Sequence, residues 1–360
     1  MLLDVVVVGA GQAGLAMGYF LREQGRTFTI LDAAAEPAAA WRGRWDSLRL
    51  FTPAGYDSLP GRDFPAASAD EYPGRDDVVA YLTDYARDFE LPVELDSSVQ
   101  AVRPGERGFH VELEDRVYET EQVVIATGPF QVPRMPAIAG QLDAGVTQMH
   151  STGYRNPDDL PPGTVLVVGG GNTGFQIAEE LAASGRAVHL SIGTRQMPLP
   201  QRILGRDLFR YLDATGLMRT TSTSRIGKRM KDRETLVGSS PRAARRRHGI
   251  HVHARTVDVS GSTVAFHDGT QLDVDAVIWA TGYRHDYSWL TLPVLDEEGG
   301  VRHRRGVSNV PGLYFLGLSW QHTRGSALLG WVNDDAEHIA REIASFQARE
   351  GDPELIVGAS

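Results

Sequence analysis

The sequence predicts an α/β fold with two similar βαβ units, and two observations carry this prediction. A glycine-rich turn (GAGQAG, residues 9–14) follows an apolar, β-branched run and precedes an apolar pattern of helical period. The same arrangement returns where VLVV leads into GGGNTG at residues 169–174. In this context the turn holds a dinucleotide, with the pyrophosphate at the helix N-terminus. We therefore predict two Rossmann-like dinucleotide-binding domains.

The residues after the second strand of each unit differ in charge. Asp32 follows the strand at 28–31, and a carboxylate there accepts a ribose 2′-hydroxyl and repels a 2′-phosphate. The matching offset in the second unit holds Ile192, and Thr194 and Arg195 follow. A hydroxyl and a guanidinium suit a 2′-phosphate. We predict FAD at the first unit and NADPH at the second. The alternative is that one glycine turn is purely structural.

The predicted cofactor contacts come from these turns and from the strand ends near them. For FAD they include Gly9, Gly11, Gln12, Ala13, Gly14, Asp32, Val99, Thr127 and Gly128. For NADPH they are Gly169, Gly171, Asn172, Thr173, Gly174, Thr194, Arg195, Thr281 and Gly282. An Ala-Thr-Gly element follows an apolar strand after each unit, so the architecture repeats within the chain. The threonines of these two elements, Thr127 and Thr281, could equally be residues that simply end a buried strand before a glycine turn.

Composition excludes several classes of protein. The 360 residues suffice for two domains, and 42% hydrophobic with 23% charged residues is typical of a globular chain. A net charge of −10 argues against a general nucleic-acid binder, and no apolar run approaches membrane-spanning length. The start at Met1 lacks the basic flank of a signal peptide, so we expect a cytoplasmic protein. The absence of Cys excludes disulfide reduction through a cysteine pair, and iron–sulfur or thiolate–metal chemistry.

The order of elements predicts that one domain is inserted in the other. A strand at 312–317 and a helix at 334–350 follow the second unit, and we expect them to return to the first. The inner face of this helix is predicted to carry Ala336, Ile339, Ile343 and Phe346. The predicted domains are FAD-binding 1–155, NADPH-binding 156–282, and the C-terminal part of the FAD domain 283–360. We expect a linker with turns at 133–162 and a basic, loop-rich region at 194–255. Other predicted elements are a helix at 76–91 and strands at 99–102, 109–113, 116–119, 122–128, 251–255 and 263–267.

The chain resembles the class B flavin-dependent monooxygenases, and within them the small bacterial flavin-containing monooxygenases. Besides the two glycine turns, the resemblance covers residues 41–53, the Ala-Thr-Gly elements and the segment 149–157. In that segment His150 and Tyr154 match the family's linker signature. Gly145 lies one residue further from the histidine than is usual, and the family's aromatic residue before it is missing.

The resemblance implies a mechanism and further site residues. NADPH would reduce FAD, the flavin would form a hydroperoxide with O2, and a small molecule would be oxygenated at sulfur or nitrogen, or at a ketone by Baeyer–Villiger chemistry. Trp41 and Arg42 would form a flavin-proximal pair, with an aromatic-packed loop as the equal alternative. Gly317 would begin the segment that reaches the flavin pyrimidine edge, with Gln321 and Leu328 nearby.

No acid–base constellation stands out in the sequence. Asn172 and His150 are the catalytic candidates, although a turn role for Asn172 and a domain-holding role for His150 are simpler. The histidines at 248–253 do not predict a metal site, because no carboxylate or Cys completes one and the arginines before them repel cations. The basic run at 225–247 predicts a solvated face rather than a nucleic-acid patch.

The leading hypothesis is an NADPH-dependent flavin monooxygenase acting on a small molecule. One alternative is a flavin-dependent NADPH oxidoreductase that passes electrons to an acceptor without inserting oxygen. Another is a cofactor-binding sensor without turnover. The sequence predicts no nucleic-acid or membrane partner, and leaves the substrate and the choice between monomer and homodimer open.

Overall fold

A computed structural model describes residues 2–231 and 234–350. Its strands are β1 (Leu3–Val8), β2 (Phe28–Leu31), β3 (Val93–Glu94), β4 (Ala101–Gly105), β5 (Gly108–Glu112), β6 (Val117–Ile125), β7 (Val132–Pro133), β8 (Thr147–His150), β9 (Thr164–Val168), β10 (Ala187–Ser191), β11 (Gln196–Leu199), β12 (Arg202–Ile203), β13 (Arg206–Asp207), β14 (Glu234–Val237), β15 (His251–His253), β16 (Thr256–Ser260), β17 (Thr263–Phe266), β18 (Gln271–Asp273), β19 (Ala276–Trp279), β20 (Tyr283–Arg284), β21 (His303–Arg304), β22 (Val307–Ser308) and β23 (Leu313–Phe315).

The α-helices are α1 (Gln12–Glu23), α2 (Ala39–Arg42), α3 (Arg75–Asp88), α4 (Asn172–Ala183), α5 (Leu208–Ala214), α6 (Arg225–Lys231), α7 (Pro241–His248) and α8 (Val332–Glu350). Short 3-10 helices lie at Ala54–Tyr56, Ala137–Gln141, Pro157–Asp159 and Leu217–Arg219. Within the described residues no helix combines the length and the apolar character needed to cross a membrane.

The first sheet has the strand order β21-β22-β23-β6-β1-β2-β3, with β5 and β4 added beside β6. Strand β1 lies at its centre, parallel to β2 and β6. Its valines suit this position, because a central parallel strand is covered on both faces, and Val5 and Val6 are fully buried. Strand β23 pairs in parallel with β6, so the chain returns to this sheet after the second unit.

The second sheet has the order β15-β10-β9-β19-β8, and all its neighbouring strands are parallel. The predicted α/β class is therefore confirmed. The expected linker at 133–162 was wrong in one part, since β8 pairs along its whole length with β19. The segment TQMH is too short and too polar to show a strand pattern by itself, and only the pairing with β19 orders it.

The region expected to be loop-rich, 194–255, contains β11–β14 and α5–α7, besides β15, which lies within the strand predicted at 251–255. This expectation was also wrong, because short elements carry little periodic signal and depend on tertiary packing. Part of the region packs across the molecule, where Phe209 of α5 stacks on Phe51 and contacts Trp331. Asp232 and Arg233 of the basic run at 225–247 lie outside the described residues, as do the last residues of the predicted 283–360 domain part.

Two further predictions need small corrections. The strands expected at 116–119 and 122–128 form one continuous strand, β6, because the polar residues between them lie where β6 pairs with β5 as well as β1. The helices expected at 76–91 and 334–350 are present as α3 and α8, within three residues of the predicted ends. On α8, Ala336, Ile339 and Ile343 are fully buried, as predicted for its inner face.

Candidate dinucleotide-binding sites at the ends of two parallel sheets

The two glycine turns have the same steric design. A Cβ on Gly14 would lie 1.8 Å from the carbonyl oxygen of Gly9, and one on Gly174 would lie 2.1 Å from that of Gly169. Gly9 and Gly169 also have positive φ angles, 107° and 145°. Only glycine allows the helix to start this close to the strand before it. Each turn therefore brings a helix N-terminus, with its free N–H groups, to the carboxyl end of its sheet.

Asp32 follows β2 beside the first turn, as predicted. One carboxylate oxygen accepts a hydrogen bond from the Ala10 N–H at 2.7 Å, and the other accepts from the Ala34 N–H at 2.9 Å. These bonds orient the carboxylate, and each oxygen retains a second lone pair for an incoming hydroxyl. A Cβ on Gly11 would meet no atom within 4 Å, so there is room above the turn.

Gln12 joins three segments that were predicted to contact FAD. Its side-chain oxygen accepts from the indole N–H of Trp41 at 2.9 Å, and its amide donates to the carbonyl of Ala327 at 3.3 Å. A Cβ on Gly317 would lie 2.9 Å from that of Ala13, so this segment also passes close to α1. The structure thus gathers the first turn, α2 and the C-terminal segment at one place.

The remaining residues predicted for FAD are spread more widely. Arg42 is exposed and pairs with Glu36 at 2.9 Å. Gln131, which was not predicted, donates to the Thr127 hydroxyl at 2.8 Å and to the Gly128 carbonyl at 3.1 Å. Its signal was only its position just after the Ala-Thr-Gly element.

Three other predicted residues pack into the protein. Gln321 is 3% exposed, and its side-chain oxygen accepts from the Leu318 N–H at 3.2 Å. Leu328 packs in the cluster that contains Phe209. Val99 is half-buried and packs on the face of the first sheet opposite α1. The carbonyl of Ala327, next to Leu328, accepts from Gln12 of the first glycine turn.

Asn172 is the first residue of α4, the position that Gln12 holds in α1. Its amide donates to the Thr235 carbonyl, and its oxygen accepts from the Val237 N–H, both at 3.0 Å. Both polar groups therefore hold β14 against the second turn. This geometry is that of a positioning residue and does not support the catalytic candidacy of Asn172. Thr173 is half-buried beside it.

The loop after β10 carries the predicted 2′-phosphate residues. Thr194 and Arg195 are both exposed. Among the described residues Arg195 has no ion-pair or hydrogen-bond partner. Ser191, the last residue of β10, holds the start of this loop. It is 1% exposed, and its hydroxyl donates to the Ala254 carbonyl at 2.9 Å. The position predicted for phosphate binding is thus open, charged and attached to a rigid strand end.

His150 lies in the segment that connects the two sheets. We call this segment the hinge, and it consists of the end of β8, the turn at 281–282, and strands β7 and β20. Its Nδ1 accepts from the Thr152 N–H at 3.2 Å, so Nε2 carries the proton and donates to the Gly282 carbonyl at 3.0 Å. Burial lowers the pKa of His150, and the charge of Arg44 lowers it further. The imidazole is therefore neutral at pH 7 and holds the second Ala-Thr-Gly turn. This supports the domain-holding role over the role of a catalytic base.

A short antiparallel ribbon completes the hinge, because β7 and β20 follow the two Ala-Thr-Gly elements and pair with each other. The Thr281 hydroxyl donates to the carbonyl of Arg134, beside this ribbon. Arg44, which was not predicted, donates to the Tyr283 hydroxyl at 2.5 Å and lies 5.0 Å from the ring centre of Phe130. The only sequence signal for Arg44 was its position between Trp41 and Trp45, within the segment 41–53.

The histidines near the second site stack rather than converge. His189 lies 4.9 Å from His251 and 5.0 Å from His253, ring centre to ring centre, with nearly parallel planes. Its Nδ1 is 2.7 Å from Nε2 of His253. Burial, followed by the charges of the two neighbouring histidines, lowers the pKa of His189 to about 4. Within the part of the chain that the structure describes, no cluster of His, Asp or Glu suits a metal ion.

Comparisons with known proteins agree with this architecture. The family model for pyridine nucleotide-disulphide oxidoreductases matches residues 6–202. The chain is 42% identical over 344 residues to an uncharacterized oxidoreductase CzcO-like of Geobacillus kaustophilus (strain HTA426), covering 95% of this chain and 98% of that relative. It is 28% identical over 374 residues to the probable indole-3-pyruvate monooxygenase YUCCA1 of Arabidopsis thaliana, covering 94% and 89%.

Among solved structures, a flavin-containing monooxygenase from Stenotrophomonas maltophilia superposes with a TM-score of 0.81 at 31% identity, covering 96% of this chain and 99% of that one. The matched family model spans more than half of the chain, and it includes both glycine turns. This chain therefore belongs to the pyridine nucleotide-disulphide oxidoreductase family, among its flavin-dependent oxidoreductases and monooxygenases.

Proposed function

We propose that this chain is an NADPH-dependent flavin monooxygenase that binds FAD at the first glycine turn and NADPH at the second. The observation that supports the assignment most directly is the opposite charge at two matched strand ends. Asp32 follows β2, whereas Arg195 follows β10. An acid favours an unphosphorylated ribose, and an arginine favours the 2′-phosphate that distinguishes NADPH from NADH.

The residues around the first turn fit FAD. Gly11 faces open space, α1 offers its N-terminal N–H groups, and the Asp32 carboxylate is held in place by two backbone donors. Trp41, fixed by Gln12, stands next to the turn on a short helix. The sequence predicted the FAD domain at 1–155 and 283–360, with the NADPH domain at 156–282, and we infer the same arrangement with one change. Because β8 joins the second sheet, we place the first boundary before Thr147.

Bound FAD would supply the redox chemistry, accepting electrons from NADPH and activating O2 toward a small-molecule substrate. The chain itself would orient the two dinucleotides and keep water from the space between them. Asn172 would hold β14 beside the second site, and neutral His150 would hold the hinge through Gly282. With no Cys in its sequence, the chain offers no thiol pair that could pass the electrons to a disulfide.

The relatives support oxygenation over simple electron transfer. One relative is named an indole-3-pyruvate monooxygenase, and a similar solved structure is named a flavin-containing monooxygenase. We therefore propose a small organic substrate with a soft nucleophilic atom or a carbonyl group.

Anaerobic reduction with NADPH, followed by rapid mixing with oxygenated buffer, tests the proposal. Flavin absorbance would be followed through both steps, and released peroxide would be measured at the end. We expect complete reduction, then a transient near-ultraviolet absorbance that decays before the oxidised spectrum returns, with peroxide released only in that last step because no substrate takes up the oxygen.

Two other outcomes would contradict the proposal. Immediate return of the oxidised spectrum, with peroxide released at once and no near-ultraviolet phase, would favour an oxidoreductase that uses a separate acceptor. Tight FAD without reduction by NADPH would favour a cofactor-binding protein without turnover.

A further inference from the structure

A second arginine lies beside the loop that was predicted to bind the 2′-phosphate. Strand β15 is the parallel neighbour of β10, and Arg255 follows it. A Cβ on Gly193 would lie 3.1 Å from Cγ and 3.4 Å from Cδ of Arg255. The stem of Arg255 therefore runs along the glycine that precedes Thr194 and Arg195. Glycine at this position leaves room for that stem.

The backbone on either side of Arg255 is held firmly. The buried hydroxyl of Ser191 donates to the Ala254 carbonyl at 2.9 Å and accepts from the Thr256 N–H and hydroxyl, at 2.9 and 2.8 Å. The Ile192 N–H donates to the His253 carbonyl at 3.2 Å. These bonds join the ends of β10 and β15, so the two arginines start from fixed positions.

Neither arginine is neutralised within the described part of the chain. Arg195 and Arg255 are both exposed, and neither has an ion pair or a side-chain hydrogen bond there. This contrasts with the chain's acidic composition, 46 Asp and Glu against 36 Lys and Arg. Many other arginines do find carboxylates, such as Arg305 with Asp335 at 3.1 Å. Two free guanidinium groups at adjacent strand ends form a site suited to an anion with several oxygens.

The first sheet supplies an internal comparison. Leu31 of β2 pairs with Glu94 of β3, as Ser191 of β10 pairs with His253 of β15. The residue two positions after Glu94 is Asp96, so Asp96 occupies the position that Arg255 holds in the second sheet. An acid thus stands at this position beside the proposed FAD site and a base beside the proposed NADPH site. The charge therefore changes from negative in the first sheet to positive in the second at this strand end too, as it does between Asp32 and Arg195.

We propose that Arg255 is a second specificity-determining residue for the 2′-phosphate, acting with Arg195 from the neighbouring strand. The inference rests on the proposed binding of NADPH at the second turn. It adds a residue that the glycine motif does not include, because β15 lies far along the chain from β10. The chemistry recognised is a ribose phosphomonoester, which presents several oxygens to two guanidinium groups.

The test is calorimetric binding of 2′,5′-ADP and of 5′-AMP to the FAD-loaded protein, which reads the site without turnover. The variants are Arg255→Ala, Arg255→Lys and Arg195→Ala. Arg246→Ala, an exposed arginine on α7, controls for the loss of one positive charge. We expect Arg255→Ala to weaken 2′,5′-ADP binding by about tenfold, with 5′-AMP unchanged, Arg255→Lys partly restoring affinity and Arg246→Ala without effect.

Failure of this inference differs from failure of the proposed function. If Arg195→Ala weakens 2′,5′-ADP binding and Arg255→Ala does not, Arg255 is a surface residue and the NADPH assignment stands. If the unmodified protein binds 5′-AMP as tightly as 2′,5′-ADP, the NADPH assignment falls, and this inference falls with it. Equal weakening of both ligands by Arg255→Ala would assign the residue to general structure and overturn the proposal.

Discussion

The first and second glycine turns share one steric design and differ in the residues that reach them from elsewhere in the chain. In both, a second glycine packs directly on the carbonyl oxygen of the first. Around the first turn, Asp32 and Asp96 follow the neighbouring strands, whereas Arg195 and Arg255 follow the corresponding strands of the second. This comparison supports the proposal that each turn makes a dinucleotide site and that the charges at the strand ends beside it select the dinucleotide.

The first helical residue after each turn extends the comparison. Gln12 and Asn172 both use a side-chain amide as donor and acceptor, but they bind different partners. Gln12 joins Trp41 and the C-terminal segment in the first half. Asn172 joins β14, in the region that crosses toward the first half. The first helical residue therefore orders the contacts around the first turn, whereas in the second unit it connects the turn to β14.

The largest expected effect comes from breaking one turn at a time. Gly14→Ala places a methyl group 1.8 Å from a backbone oxygen, and Gly174→Ala places one at 2.1 Å, so neither helix can stay where it is. We expect Gly14→Ala to lose bound flavin. Gly174→Ala should stay yellow and lose reduction by NADPH by about a hundredfold or more. Flavin content and the anaerobic reduction rate measure the two effects.

Gly145→Ala is the matched control for these variants, because a Cβ there meets no atom within 4 Å. It should keep both flavin and reduction. Loss of flavin in both turn variants alike would contradict the separation of the two sites.

The next largest effect tests the charge difference. We expect Arg195→Ala to raise the KM for NADPH by about tenfold or more and to leave that for NADH nearly unchanged, because only NADPH carries the 2′-phosphate. Steady-state oxidation of the two nicotinamides measures this. Equal changes for both would remove Arg195 from the phosphate site.

The two amide side chains should give a smaller effect. Asn172→Ala leaves the Thr235 carbonyl and the Val237 N–H without their partner, at a cost of about 1 kcal/mol, since the site is only partly buried. We expect a Tm lower by about 2–4 °C and a raised KM for NADPH, with flavin retained. Gln12→Ala should instead speed loss of flavin on dilution. Thermal melts and flavin release distinguish them, and identical behaviour would contradict the comparison.

The smallest effect concerns a buried carboxyl group and a half-buried imidazole whose pKa values are shifted in opposite directions. Asp57, in the first half, is fully buried, and burial raises its pKa to about 7 despite a bond from the Thr52 hydroxyl. Its stabilising contribution is complete at low pH and is lost as pH rises from about 4 to about 7. His189 has a lowered pKa, so its contribution is present at neutral pH and is lost as pH falls from about 6.5 to about 4.

Asp57→Asn separates these two contributions, because the amide can still accept from Thr52 but does not ionise. We expect it to raise Tm by about 3 °C at pH 8 and by less at pH 5, where the carboxyl of Asp57 is already protonated. Melts across this range measure the difference. A Tm gain that is the same at both pH values would show that the acid is not neutral when the protein is folded.

Prediction from the sequence succeeded where the signal was local. The strand–turn–helix order around residues 9–14 and 169–174 predicted both βαβ units and the α/β class. The face of α8 and the position of Asp32 also followed from period and spacing. Prediction failed for β8 and for the region 194–255, because short strands and helices of mixed polarity are ordered by partners that lie far away in the chain.

The sequence by itself determined the two glycine turns, the acid after β2 and the basic loop after β10. These features depend on steric and charge requirements that act within a few residues. Only the tertiary structure decided that Gln12 accepts a hydrogen bond from Trp41, that the side chain of Asn172 holds β14, and that the stem of Arg255 packs along Gly193. Those contacts join segments far apart in the chain, and strand pairing and packing across the sheets bring them together.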